Sequence, residues 1–224
     1  MSGVVISETL RRHATNVAFV AVVAVLAMTA IGVSHFERPG TIWPSLVMLL
    51  AMVVGSEVIG PEFSSGTLQL ILVKPINRAV YLLSRVAGVV LAVWSAALLA
   101  AVCELVGRSM NDFVPIATAL VHSMADALLV VSLLAFIGSF TRAYFNIAIY
   151  FGMQMFLAML IGLSARKFPE PLTRALRFVM SNLYPDPPSQ LEGAWLLLVA
   201  CNVAIALLLA CILFRKREVP YGAD

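Results

Sequence analysis

Polar and apolar positions fall in long blocks along this chain rather than in short periods. Six apolar runs stand out, at about 17–34, 41–60, 86–106, 116–139, 143–164 and 194–214. A helix needs about 20 residues to cross the hydrocarbon core of a bilayer, so each run predicts one spanning helix. Lipid offers the backbone no hydrogen-bond partner, which is why such a run must satisfy itself as a helix. The first run ends at Gly32-Val33-Ser34 without a small-x-small cleavage pattern. It reads as an uncleaved span rather than a signal peptide.

The stretches between the runs carry their own patterns. Residues 4–16 set Val4, Val5, Ile6 and Leu10 against Glu8, Arg11, Arg12 and His13. That division suits an amphipathic helix on the membrane surface, its cations toward anionic lipid. Between the fifth and sixth runs, Pro169, Pro171, Pro185, Pro187 and Pro188 bracket Leu172–Leu183. Apolar residues recur there at helical spacing, which predicts a short amphipathic helix. No repeat or linker divides the chain, so residues 1–224 read as a single all-α membrane domain.

An even number of spans puts both ends on one side. On that side fall Arg11, Arg12, Lys74, Arg78, Arg85, Arg142, Arg215, Lys216 and Arg217. The other side holds Arg38, Arg108, Arg166, Lys167, Arg174 and Arg177, four of them in one long loop. Cytoplasmic loops carry the excess of Lys and Arg, so both termini and the 57–85 segment are expected in the cytoplasm. Composition agrees with a multi-pass plasma-membrane protein. The chain is 61% hydrophobic and 12% charged, against about 45–50% and about 25% in soluble domains.

The segment 57–85 is the chain's most organised polar stretch. It opens with Glu57, Gly60, Pro61 and Glu62, and closes with Pro75, Arg78 and Arg85. Within it Glu62, Gly66, Thr67, Pro75 and Arg78 stand in an E-x3-G-T-(x7)-P-x2-R spacing, and the residues from Leu68 to Val73 are mostly apolar. This resembles the segment after the second span of permease subunits in type-2 family ABC exporters. The resemblance implies a coupling helix that docks on a separate cytoplasmic ATPase. The docking residues would be Glu62, Gly66, Thr67, Leu68, Leu70, Pro75 and Arg78. It further implies a second permease copy, identical or related, and interfacial or re-entrant helices between spans five and six. ATP and Mg would belong to the partner ATPase. This chain has no G-x4-G-K-[ST] phosphate loop.

His122 and Asp126 are the most polar pair inside a run, four residues apart on one helical face. Ionisable groups deep in a bilayer are costly and tend to face the bundle or a water-filled path. They are candidates for a substrate path or, in an ATP-independent channel or carrier, for the working residues. A hydrogen bond that merely satisfies both is the structural alternative. Cys103, Cys201 and Cys211 all lie in apolar runs and read as small buried hydrophobes. No Cys or His spacing suggests a metal site, and no constellation suggests an enzyme. Nothing in the charge pattern suggests nucleic acid.

Overall fold

Chains that cannot hydrogen-bond to their solvent fold as helices, and the computed structural model is all-α. It describes residues 3–33, 39–58, 77–108, 112–141, 145–167, 169–171, 174 and 192–216. Seven helices occur among them: α1 (Gly3–Thr15), α2 (Val17–Val33), α3 (Trp43–Ser56), α4 (Arg78–Val106), α5 (Phe113–Gly138), α6 (Phe145–Lys167) and α7 (Gly193–Lys216). The described residues include no strand. α4, α5 and α7 are each long and apolar enough to cross a membrane, and the bent pair of α1 and α2 makes a fourth candidate. The chain is built as a multi-pass membrane protein.

α3 and α5 form the centre. Trp43, Val47, Leu50, Ala51 and Val54 of α3 are buried, as are Ala127, Val130, Val131, Leu134 and Ala135 of α5. Gly55 lets the two helices meet closely, since a Cβ there would stand 3.0 Å from Leu134 Cδ1. α4 packs on both, α7 covers α5 and α4, and α6 packs on α5 and α3. α1 and α2 lie on α4, bent 72° from each other at Asn16. Asn16 Oδ1 accepts from the Ala18 N–H at 2.9 Å and so starts α2.

Side-chain bonds set the direction of each helix. Glu104, near the end of α4, meets Trp43, the start of α3. The two helices are therefore antiparallel, and the end of α3 and start of α4 share one face of the bundle. Asn146 at the start of α6 donates to the Ser56 carbonyl at the end of α3, and Thr141 bonds Asn146. Arg78 donates to the carbonyl of Arg215 at the end of α7. The first face thus holds the ends of α3, α5 and α7 and the starts of α4 and α6. The second holds the starts of α3, α5 and α7 and the end of α4.

Two expectations change. The expected second span, 41–60, is the shorter helix Trp43–Ser56, about 21 Å long at ~1.5 Å per residue. Gly40, at φ +69°, makes the turn before it, and Pro44 follows within its first turn. At the other end Ser56 Oγ turns back to the Val53 carbonyl at 2.7 Å. The expected third span, 86–106, begins eight residues earlier, as one helix from Arg78. Asn77 caps it, its Oδ1 accepting from the Ala79 N–H at 3.0 Å. The predicted helix over Leu172–Leu183 lies outside the described residues.

Polar residues on these helices are largely satisfied within their own turn. Ser123 donates to the Ala119 carbonyl and Ser132 to the Leu128 carbonyl, each at 2.7 Å. They serve helix packing, as short hydroxyl side chains in apolar helices commonly do.

Candidate functional site

Among the residues expected to dock an ATPase, Glu62, Gly66, Thr67, Leu68, Leu70 and Pro75 lie outside the described residues. Arg78 is the first residue of α4 and is half-buried, with its Nη1 3.5 Å from the Arg215 carbonyl. A cation here sits beside the exposed Arg215 and Lys216 at the end of α7. The end of α3, the start of α4, α1 and the end of α7 therefore lie toward one face. α4 has 29 residues, about 43 Å at ~1.5 Å per residue, against a hydrocarbon core of about 30 Å. The excess length accommodates Arg78 beyond the core.

Arg85 does not stand beside Arg78 as a second exposed cation. It is buried, 7% exposed, under α1. Its Nη1 donates to Thr9 Oγ1 at 3.1 Å, and Thr9 in turn donates to the Val5 carbonyl. The helices can approach this closely because residue 88 is Gly: a Cβ there would lie 2.7 Å from Thr9 Cβ. His13, one turn beyond Thr9, is buried against the same surface and stacks near Phe19 with ring centroids 5.5 Å apart. Burial, with the charges of Arg85 and Arg12, lowers its pKa to about 4. His13 is therefore neutral at pH 7. The expected amphipathic N-terminal helix is present, with Glu8, Arg11 and Arg12 exposed. Its inner face is made by Val5, Thr9 and His13 at helical spacing.

Glu104, near the end of α4, is 1% exposed. Its carboxylate accepts from the Trp43 Nε1–H at 2.7 Å, the Gly40 N–H at 3.1 and 3.2 Å, and the Arg108 Nε–H at 3.1 Å. Arg108 Nη1 also lies 4.0 Å from Asp112. Gly40 is held against α5, where a Cβ would fall 2.5 Å from Ala119 Cβ. A buried carboxylate needs such a full set of donors. The Glu104/Arg108 spacing of four is a visible helical ion pair, and a Trp indole at a helix start needs an acceptor. No sequence signal joins the two across more than 60 positions.

His122 and Asp126 fall on α5 as expected. His122 is 9% exposed, and its Nε2 is buried with no hydrogen-bond partner among the described residues. Its ring meets Trp195 of α7 edge-on, with centroids 4.8 Å apart. Asp126, half-buried, lies one turn on and within electrostatic range of Tyr150 on α6. Tyr150 is buried and its hydroxyl lies 3.4 Å from Gln154 Nε2. α6 and α7 both pack on α5, with Tyr150 of α6 toward Asp126 and Trp195 of α7 against His122. The satisfying bond expected between His122 and Asp126 is not made through Nε2. Among the described residues no three His, Cys, Asp or Glu side chains gather as a metal site.

No family model matches the chain, and no curated protein matches it.

Proposed function

We propose that the chain is the permease subunit of an ATP-driven exporter of the type-2 ABC family. The observation that carries this is the E-x3-G-T-(x7)-P-x2-R spacing from Glu62 to Arg78, which in the chain falls between α3 and α4. Six spans are then α2 to α7, with α1 lying along the interface. The cation-rich face, with Arg11, Arg12, Arg78, Arg215 and Lys216, is cytoplasmic by the positive-inside rule. Two copies, or this chain and a related one, enclose the path. Each docks an ATPase through Glu62, Gly66, Thr67, Leu68, Leu70, Pro75 and Arg78. Closure of the ATPases on ATP and Mg moves α4 through its cytoplasmic end. The chain itself carries out no bond chemistry.

The test is purification from native membranes in mild detergent. An ATPase subunit should accompany the native chain and be lost with Glu62→Ala combined with Gly66→Trp. A chain that arrives alone while retaining its helical content sinks the docking reading. The unpartnered His122 Nε2 favours a second reading, an ATP-independent channel or carrier. In that case transport survives Gly66→Trp and fails with Asp126→Asn.

A further inference from the structure

α1 has two places to put its apolar side. Against α4, Val5 packs on the core, and Ile6 and Leu10 are half-buried. A lipid surface would cover the same residues, as it does for any amphipathic helix in the interfacial plane. The hold of α1 on α4 is therefore a balance between two apolar surroundings, and one added charge tips it.

The crossing is built so that a charge can be added. Thr9 and His13, four residues apart, are 1% and 4% exposed. Gly88 admits Thr9 so closely that no group can shift inward to make room. The His13 ring spans the bend at Asn16, meeting Phe19 of α2. The charged groups that face it are cationic: Arg85 of α4 and Arg12 of its own helix. Tyr81 and Arg78 follow one and two turns from Arg85 on α4, and α2 carries no titratable group. Glu8, the carboxylate of α1, is exposed and engaged with Arg11 at 3.1 Å. An imidazolium here would be buried between like charges, which disfavours it twice over.

We propose that α1 is an acid-released strap: protonation of His13 places a third positive charge between Arg12 and Arg85, and α1 swings off α4 about Asn16 onto the lipid surface. Released, the imidazolium regains water and Val5, Ile6 and Leu10 are covered by lipid. The sign follows from the ring's preference for the proton when undocked. Its pKa is about 4 when docked, against 6.5 for the unperturbed group, so docking weakens as pH falls through that interval. The released-to-docked ratio should rise about 20-fold from pH 7 to pH 5, and about 100-fold by pH 4. The strap does not depend on the exporter reading, although α4 runs on from the crossing to Arg78.

The full chain in phosphatidylcholine nanodiscs, whose surface charge is constant over this range, carries spin labels at Ser7→Cys and Val102→Cys, both exposed positions. Cys103, Cys201 and Cys211 are replaced by Ala. The distance distribution between the labels gives the docked and released populations at each pH. The second population should grow by the factors above, and His13→Phe should remove the growth. Arg12→Gln, which leaves the ring in place, should shrink it. A distribution that stays constant from pH 7 to pH 4, or one that changes equally in His13→Phe, overturns the proposal. A further readout uses the unlabelled native chain. The His13 imidazole nitrogen resonances should titrate over the same range as the movement, and a ring that takes up its proton while α1 stays docked also overturns it. Release in a chain that carries no ATPase would leave the strap standing and remove the exporter reading alone.

Discussion

The two ends of α4 each bury a charged side chain, and they do so by different means. At the second face Glu104 is closed in by an indole N–H, a backbone N–H and a guanidinium, and Gly40 fits against Ala119 with no room for a side chain. At the first face Arg85 lies under α1, bonded to a hydroxyl, beside a crossing that depends on Gly88. Glu104 ties α4 to the start of α3 and so to the central helices, whereas Arg85 ties it to a peripheral helix. The second face holds the central helices together, and the first face fastens α1.

The largest loss is expected at Glu104. Glu104→Ala strands the Trp43 and Arg108 donors in a buried site and should cost about 3–5 kcal/mol, read as a lower thermal midpoint in detergent. Glu104→Gln keeps an acceptor and should cost less. A midpoint unchanged by Glu104→Ala would end the distinction between the two ends. Gly40→Ala comes next, at about 1–3 kcal/mol, because it combines a left-handed backbone with a clash on Ala119. Ala119→Gly should recover the part due to the clash and leave the part due to φ.

At the first face Gly88→Ala should loosen α1 with a smaller change of midpoint. Tryptic cleavage after Arg11 and Arg12 should quicken in the variant, while α4 and α5 stay intact. Thr9→Val, which removes the hydroxyl at nearly constant shape, should cost about 1.5 kcal/mol, the low end for a bond to a charged group. Smallest at neutral pH is the contribution of His13. Its pKa is about 4 in the folded chain against 6.5 for the unperturbed group. Between those values the unfolded chain binds a proton that the folded chain refuses, so stability falls as pH drops through this window. His13→Phe should flatten that part of the profile. A profile unchanged by the substitution would show that α1 does not bury this ring against α4.

Much of the architecture was legible from hydropathy alone. The runs at 116–139 and 194–214 match α5 and α7 within a few residues, because a predominantly apolar stretch of that length is stable in lipid as a helix. The run at 41–60 was less well read. Its helix is cut by Gly40 and by the turn at Ser56, and both act through neighbours that hydropathy does not record. Hydropathy places charged residues such as Arg85 and Glu104 at the edges of apolar runs and says nothing of what encloses them. Their burial depends on Thr9 and on Trp43 and Gly40, which lie far away in the chain. The His122 and Asp126 pair was visible, whereas the Trp195 partner was not.

By itself the sequence determined that the chain is helical and membrane-embedded, and which polar stretches gather cations, since these follow from the local cost of exposing backbone or charge to lipid. Only the tertiary structure decided that α3 and α4 run antiparallel, that Arg85 and Glu104 are enclosed, and that His122 Nε2 is left over. Each of these depends on which side chain meets which donor across the bundle, and that pairing is a property of packed helices and not of any one of them.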